Sequence, residues 1–277
     1  MFTRFLQSIP GLSWMPPHDT YFRGSPLVLI NGLAEQSESW YRNREVLQRA
    51  FDVHAPGVLV YDGPVLQQRL NSGLPITVGF FKDRLVEYLD NFVQTPPYHL
   101  VASSLGAQIA VEYACQNPGM IDRLVLLCPS GMGSDERLPI MSGARHNDYR
   151  GLVESTFYDT RLASPGIVNY YEHKFKSKAW RKALFETVRG TKSHSVRERL
   201  SLIDRPVLVI CGGEDRIVDT HVVQQAVAPH ANYQCVVISH CGHAPQLEQP
   251  QIVNQLIVDF LQSKESLDMR DRPDSSS

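Results

Sequence analysis

Short, uniformly apolar runs are the feature that most constrains what this chain can fold into. They are rich in Val, Ile and Leu, show no polar alternation, and cover residues 26–30, 52–59, 98–102, 123–128, 206–211 and 233–239. A strand with one wet face would alternate apolar and polar residues, so these runs indicate strands covered on both faces. The pattern therefore predicts a buried, mostly parallel sheet.

Helical patterns lie between these runs. Residues 78–92, 105–115, 221–227 and 251–261 show apolar residues at helical spacing. In the first of these segments we expect one apolar face, made by Phe81, Leu85, Tyr88, Leu89 and Phe92. Because strands and helices alternate, the fold class predicted is α/β, with a mostly parallel central sheet flanked by helices.

The alternation stops between residues 134 and 200, where aromatic residues and helical patterns replace apolar runs. We expect an inserted helical cap here, above the carboxyl ends of the strands, where open α/β sheets bind ligands. Residues 1–133 and 201–262 then form the core. The charged tail at 263–277 lacks apolar periodicity and is expected to be disordered.

Composition excludes several classes of protein. The chain has 27 basic and 29 acidic residues among 277, which gives no support for nucleic-acid binding. No segment approaches the roughly 18 consecutive apolar residues of a membrane span, and the first ten residues lack the apolar stretch of a secretory signal. An odd number of cysteines, five, at irregular spacing fits reduced thiols. We therefore expect a cytoplasmic protein with no membrane partner.

The stretch 99–107, His-Leu-Val-Ala-Ser-Ser-Leu-Gly-Ala, is the most informative motif. A buried strand runs into Ser104, with the small residues Ala102 and Gly106 two positions before and after it. This spacing suits a nucleophile elbow, a sharp strand-to-helix turn that leaves no room for bulky flanking side chains. Ser103 lacks that spacing. Read alone, the motif is also compatible with a serine-rich helix cap.

Two later strand ends supply partners for this serine. A strand ending in a glycine turn presents Asp215, and the next strand ends in a loop that presents His243. Each residue follows a strand, so all three side chains can meet at one edge of a parallel sheet. Serine needs an adjacent base to act as a nucleophile, which His243 would supply, while Asp215 would orient and stabilise the imidazole.

With these motifs the chain resembles the α/β-hydrolase family over nearly its whole length. The stretch 27–33 with Trp40 is similar to the family's oxyanion strand and loop, and Gly242-His243 with the residues after it is similar to its C-terminal signature. The resemblance implies an oxyanion hole made by the backbone amides of Leu33 and Leu105. Asn31 stands where the family usually has His.

Together these features predict a serine hydrolase that cleaves a carboxylic ester through an acyl-enzyme on Ser104, with a small-molecule ester as substrate. Two alternatives within the enzyme class stay open: a thioesterase, and a C–C bond hydrolase of the meta-cleavage-product type, which residues 123–133 resemble. From another class, a ligand-binding receptor of the same fold would keep the triad while turning over little substrate.

Two weaker signals concern metals and charge. His240, Cys241 and His243 are close in sequence, but zinc sites usually need a further spaced ligand pair. We expect neither a metal nor a cofactor.

The predicted cap carries 13 Lys/Arg against 8 Asp/Glu, with a basic run at 174–182. Such a run is most often a solvated helix face. The alternative is docking of an acidic carrier or a carboxylate substrate.

Overall fold

The structure is a computed structural model that describes residues 24–133 and 136–263. Its sheet has six strands, all parallel, in the order β2-β1-β3-β4-β5-β6. The strands are β1 (Pro26–Ile30), β2 (Asp52–His54), β3 (Tyr98–Ser103), β4 (Ile121–Leu127), β5 (Val207–Gly212) and β6 (Tyr233–Ile238). The four inner strands β1, β3, β4 and β5 are almost wholly buried, as their uniform apolar sequences predict.

Helices cover both faces of this sheet. They are α1 (Arg44–Leu47), α2 (Pro64–Asn71), α3 (Val78–Tyr88), α4 (Leu105–Gln116), α5 (Pro139–His146), α6 (Tyr149–Glu154), α7 (Pro165–Lys176), α8 (Lys178–Thr191), α9 (Thr220–Val227), α10 (Pro245–Glu248) and α11 (Pro250–Gln262). Two large hydrophobic clusters lie on opposite sides of the strands. The predicted α/β class, with a parallel sheet flanked by helices, is confirmed.

Two predicted elements end earlier than expected. The run at 52–59 forms a strand only to His54, because Pro56 lacks the amide that a ladder needs. The helix predicted for 78–92 ends at Tyr88 and continues as a π-helical turn, Leu89–Val93. The wider turn rotates the following residues about the helix axis, so Val93 is buried while Phe92 is 61% exposed. The expected contribution of Phe92 to the apolar face was therefore wrong.

The segment between β4 and β5 is helical, as the sequence predicts, with α5 to α8 in it. Trp180 and Phe175 make its aromatic centre, and Trp180 also contacts Tyr61 of the core with ring centroids 5.6 Å apart. The expected boundary at 133/134 falls next to residues outside the described ones. So do the predictions for the first ten residues and for the tail after Ser263. Each helix in 24–133 and 136–263 is too short or too polar to cross a membrane.

Candidate active site

Ser104 lies at the tight turn between β3 and α4. Its backbone has φ 50° and ψ −118°, a conformation that non-glycine residues rarely adopt and that concentrates at functional sites. The turn is held by the Ser104 amide, which donates to the carbonyl of Leu127 on β4 at 2.9 Å. The serine side chain is thereby presented at the amino end of α4, where the helix dipole favours negative charge.

Three side chains from three loops meet in a hydrogen-bonded chain. The Nδ1 of His243 donates to Oδ2 of Asp215 at 2.8 Å, and Oγ of Ser104 donates to Nε2 of His243 at 2.9 Å. All three side chains are shielded from solvent: Ser104 is 8% and His243 5% exposed, and the side chain of Asp215 is 1% exposed. The amides of Ile217 and Val218 hold Oδ1 of Asp215 at 2.8 and 3.1 Å. The structure thus brings together the residues predicted as nucleophile, base and orienting acid.

The charges of this site shift the proton affinities of its members. Burial works to lower the pKa of His243, but the carboxylates of Asp215, Glu35 and Glu136 outweigh it and raise that pKa. Burial works to raise the pKa of Asp215, and the charge and hydrogen bond of His243 with two backbone amides bring it below its ordinary value. The protonated imidazole of His243 is therefore stabilised by carboxyl groups on several sides.

The two predicted oxyanion donors adjoin Ser104. Leu105 is the first residue of α4, so its amide is one of those that a helix leaves without an intrahelical partner. Leu33 follows Gly32, where a Cβ would lie only 3.0 Å from Cβ of Ser104. An oxyanion hole made by these two amides remains a prediction, and the geometry around Ser104 is compatible with it.

The loop that carries Leu33 is closed by its own side chains. Nδ2 of Asn31 donates to the carbonyl of Glu35 at 2.9 Å and to that of Gly32 at 3.3 Å. The carboxylate of Glu35 accepts from the Gly32 amide at 3.2 Å and from the Ser39 hydroxyl at 3.3 Å. Asn31 therefore holds the loop through two carbonyl groups.

The thiol of Cys128 is next to the triad. Ligand atoms of Cys128, Asp215 and His243 lie within 4.8 Å of one another, a set that could hold a thiophilic metal. However, Nδ1 of His243 is engaged with Asp215, and burial together with the Asp215 charge raises the pKa of Cys128 well above its ordinary value. A metal needs the thiolate. We interpret the set as a triad beside a neutral thiol.

Three glutamates outside the predicted site residues contribute to the site. Glu35 and Glu136 approach the triad and are considered below. Glu248 accepts from the amides of Gly242, Tyr158 and Asp159 at 2.6, 3.1 and 2.6 Å, and so joins the loop before His243 to the cap. No local pattern marks Glu35 and Glu136, because their approach to His243 depends on the order of the strands. For Glu248 the available signal was its place shortly after His243.

Three members of the basic run at 174–182 have partners within the chain. Lys174 bonds Asp62 at 2.8 Å, Lys176 pairs with Glu172 at 3.1 Å, and Arg181 donates to the carbonyl of Phe175. His240, near the triad in sequence, stacks on Tyr158 with ring centroids 5.3 Å apart. Docking of an acidic carrier at this run remains a prediction.

Comparison with known proteins identifies relatives of this chain. Over 197 residues the chain is 25% identical to monoacylglycerol lipase abhd6-B of Xenopus laevis, covering 64% of this chain and 58% of that one. Over 277 residues it is 24% identical to monoacylglycerol lipase ABHD6 of Homo sapiens, covering 89% of this chain and 80% of that one. The chain thus spans between about half and four fifths of these relatives.

A solved structure shares the fold. It is the 2-hydroxy-6-oxo-6-phenylhexa-2,4-dienoate hydrolase from a Rhodococcus species, with a TM-score of 0.72, 21% identity, and coverage of 87% of this chain and 91% of that one. The model of the alpha/beta hydrolase family matches residues 27–256. That match includes β1 except its first residue, the positions of Ser104, Asp215 and His243, and the first half of α11. The chain therefore belongs to the alpha/beta hydrolase family.

Proposed function

We propose that this protein is a serine hydrolase that cleaves a carboxylic ester through an acyl-enzyme on Ser104. The observation that carries the proposal is the hydrogen-bonded chain from Ser104 through His243 to Asp215, with distances of 2.9 and 2.8 Å. A serine at the elbow, a buried base and an orienting carboxylate are the groups that acyl transfer requires.

The first half of the reaction forms the acyl-enzyme. Oγ of Ser104 attacks the acyl carbon while its proton passes to Nε2 of His243. The oxygen of the tetrahedral intermediate is held by the amides of Leu33 and Leu105, each worth about 3–4 kcal/mol of transition-state stabilisation. When the bond to the alcohol oxygen breaks, His243 returns the proton to the leaving alcohol.

Water completes the cycle. His243 takes a proton from water as the hydroxyl attacks the acyl carbon, and the bond to Oγ of Ser104 breaks. The proton on His243 then returns to Ser104, the acid is released, and no atom of the enzyme is consumed. Asp215 keeps Nδ1 protonated throughout, so Nε2 is free to accept at each stage.

The relatives support an ester as the substrate. The frog and human relatives are named as monoacylglycerol lipases, and a monoacylglycerol is a carboxylic ester. The partly buried aromatic side chains of the cap segment suit an apolar acyl or alcohol part. An ester with a small or medium apolar acyl or alcohol part is therefore the substrate class that we propose.

The test is hydrolysis of p-nitrophenyl esters of increasing acyl length, followed by labelling with a fluorophosphonate. We expect turnover by the wild type and its collapse in Ser104→Ala. Ser103→Ala is the matched control, because Ser103 is the adjacent buried serine at the end of the same strand, and this variant should keep its activity. Loss of activity in Ser103→Ala but not in Ser104→Ala would overturn the assignment.

Labelling separates the other functional classes. A wild type that reacts with the fluorophosphonate at Ser104 and hydrolyses thioesters but no oxygen ester would be a thioesterase. A protein that binds esters without turnover and without labelling would be a receptor of the same fold. Either result would contradict ester hydrolysis.

A further inference from the structure

Two carboxyl groups besides Asp215 reach the triad. Glu35 lies in the loop after β1, and Glu136 lies in the segment after β4. Strands β1 and β4 are the two neighbours of β3, the strand that carries the nucleophile. The two glutamates therefore approach Ser104 from opposite sides of its strand.

Glu35 has one oxygen held by hydrogen bonds and the other close to Gly32, the residue that packs against the nucleophile. Its Oε2 accepts from the amide of Gly32 and the hydroxyl of Ser39. Its Oε1 lies 3.1 Å from the position of a Cβ built at Gly32, and the same position is 3.0 Å from Cβ of Ser104. Because Gly32 has no side chain, nothing of that residue stands between the carboxyl and the serine.

Glu136 is fixed in a similar way. Its Oε1 accepts a short hydrogen bond from the amide of Gly131, and its carboxylate is also bonded by the amide of Met132. The loop of Gly131 is itself tied to the nucleophile, since the amide of Ser130 donates to the carbonyl of Ser104 at 3.3 Å. Glu136 therefore holds a defined place beside the triad.

Three carboxyl groups, Asp215, Glu35 and Glu136, act on the single imidazole of His243. Burial raises the pKa of both Glu35 and Glu136, and the basic side chain whose charge opposes this at both carboxyls is His243. His243 is already hydrogen-bonded to Asp215. A bound cation would add a positive charge beside Glu35 and Glu136 and so favour their ionised forms. Lys174 of α7 is itself paired with Asp62, at 2.8 Å.

Two tyrosines lie next to Glu35: Tyr61 is buried and Tyr171 is partly buried. The hydroxyl of Tyr61 accepts from the Ala34 amide at 3.0 Å, and that of Tyr171 donates to the Ala34 carbonyl at 3.5 Å. The charge of Glu35 acts on both tyrosines. Carboxylates combined with aromatic rings are the surroundings in which proteins bind ammonium groups.

We propose that Glu35 and Glu136 make the substrate pocket a charge filter that prefers esters with an ammonium group near the scissile bond. Neutral esters of the same shape are the second preference, and esters with a carboxylate at that position are poor substrates. The proposal rests on ester hydrolysis at Ser104. It also disfavours the C–C alternative, because a dienoate substrate brings a carboxylate into the pocket.

The experiment compares three butyrate esters of similar size. They are butyrylcholine, its neutral isostere neohexyl butyrate, and the anionic butyryl ester of β-hydroxypropionate, with kcat/KM measured by proton release. For the wild type we expect kcat/KM to fall about tenfold or more from butyrylcholine to the neutral ester, and again from the neutral to the anionic ester. Charges a few ångströms apart in a partly buried site interact strongly enough for such an effect. Equal values for the three esters would overturn the proposal.

Variants assign the effect to the two glutamates. Glu35→Gln and Glu136→Gln keep the size of each side chain, and each should reduce the choline-to-neohexyl ratio several-fold, with the double variant near unity. In Glu35→Gln the acid limb of kcat/KM should also move to lower pH, because one charge that raises the pKa of His243 is gone. Glu38→Gln, an exposed carboxyl three residues away, is the control that should change neither quantity.

A binding measurement keeps the inference separate from the proposed function. Titration calorimetry of Ser104→Ala with choline and with neohexyl alcohol needs no turnover. Choline should bind at least about tenfold more tightly, and the preference should vanish in the added Glu35→Gln, Glu136→Gln background. Ester hydrolysis with equal binding of the two alcohols would refute the filter alone. Absent hydrolysis and labelling, with choline preferred, would refute the ester hydrolase alone.

Discussion

Gly106 lies directly against the backbone of Asn31. A Cβ built on Gly106 would come within 2.6 Å of the Asn31 carbonyl oxygen and 2.7 Å of the Ile30 carbonyl oxygen. The helix that begins after the nucleophile therefore touches the strand that leads into the oxyanion loop. This contact joins the two segments from which both oxyanion amides come, and it explains why the elbow requires a small residue two positions after the serine.

We predict that Gly106→Ala separates these segments. The methyl group would meet backbone that cannot rotate away, so we expect a stability loss of about 1–3 kcal/mol by urea denaturation. A displacement of the oxyanion loop by even about 1 Å should lower kcat about 100-fold in the ester assay. Gly79→Ala in α3 is the control: its nearest neighbour is 3.7 Å away, and the change should be neutral or slightly stabilising.

Removing the amide of Asn31 should affect the transition state more than the ground state. Asn31→Ala loses the bonds to the carbonyls of Glu35 and Gly32, which leaves the oxyanion loop less fixed. We expect kcat to fall about tenfold or more while KM changes little. Asn91→Ala removes a comparable but exposed bond, to the carbonyl of Glu87, and should leave kcat unchanged. A change in KM alone would point to a substrate contact instead.

The pH dependence should report the carboxylates around His243. The base acts only when neutral, and its pKa is raised, so the acid limb of kcat/KM should lie above 6.5, the ordinary value. Asp215→Asn removes the nearest negative charge and the acceptor of Nδ1. We expect the limb to move to lower pH and kcat to fall about 10⁴-fold, because the imidazole takes the wrong tautomer.

Asp219→Asn is the matched control for that variant. Asp219 caps α9 by accepting from the amides of His221 and Val222, a task that asparagine performs nearly as well. The activity and pH profile of Asp219→Asn should match those of the wild type. An identical loss of activity in both variants would show that Asp215 acts through stability alone.

Glu248 should matter to both the cap and the base. Glu248→Ala leaves three amides without their acceptor, at Gly242, Tyr158 and Asp159. We expect a stability loss of about 1–3 kcal/mol and a lower kcat, because the loop that positions His243 loses its support. Glu45→Ala, which removes only an exposed pair with Arg49, should stay within about 0.5 kcal/mol of the wild type. An unchanged kcat in Glu248→Ala would contradict the link.

The sequence predicted the fold and the triad positions because both follow from local rules. Uniform apolar runs indicate buried parallel strands, and Ser104, Asp215 and His243 each stand just after such a run. Parallel strands end at the same edge, so residues far apart in the chain meet there. The π-helical turn at Leu89–Val93 could not be predicted, since one extra residue in a turn leaves no mark in composition.

The charge of the pocket could not be predicted either. Glu35 and Glu136 are 101 positions apart in the sequence, and each resembles an ordinary surface glutamate. Their proximity to His243 depends on the order β1-β3-β4, which places two non-adjacent loops on either side of one strand. Similarly, the role of Glu248 becomes visible only when the cap segment at 158–159 is brought beside Gly242.

Close contacts between Thr156 and the loop of Gly242 and His243 limit which segments can be exchanged between proteins of this fold. The amide of His243 donates to the carbonyl of Thr156 at 2.8 Å, and a Cβ on Gly242 would overlap the same carbonyl at 2.6 Å. A chimera in which the whole segment 136–200 is replaced by the corresponding segment of another protein would lose the contact between Thr156 and His243. Transplants that keep residues 156–159 native and exchange the helices on either side should retain a working histidine, whichever substrate the grafted helices admit.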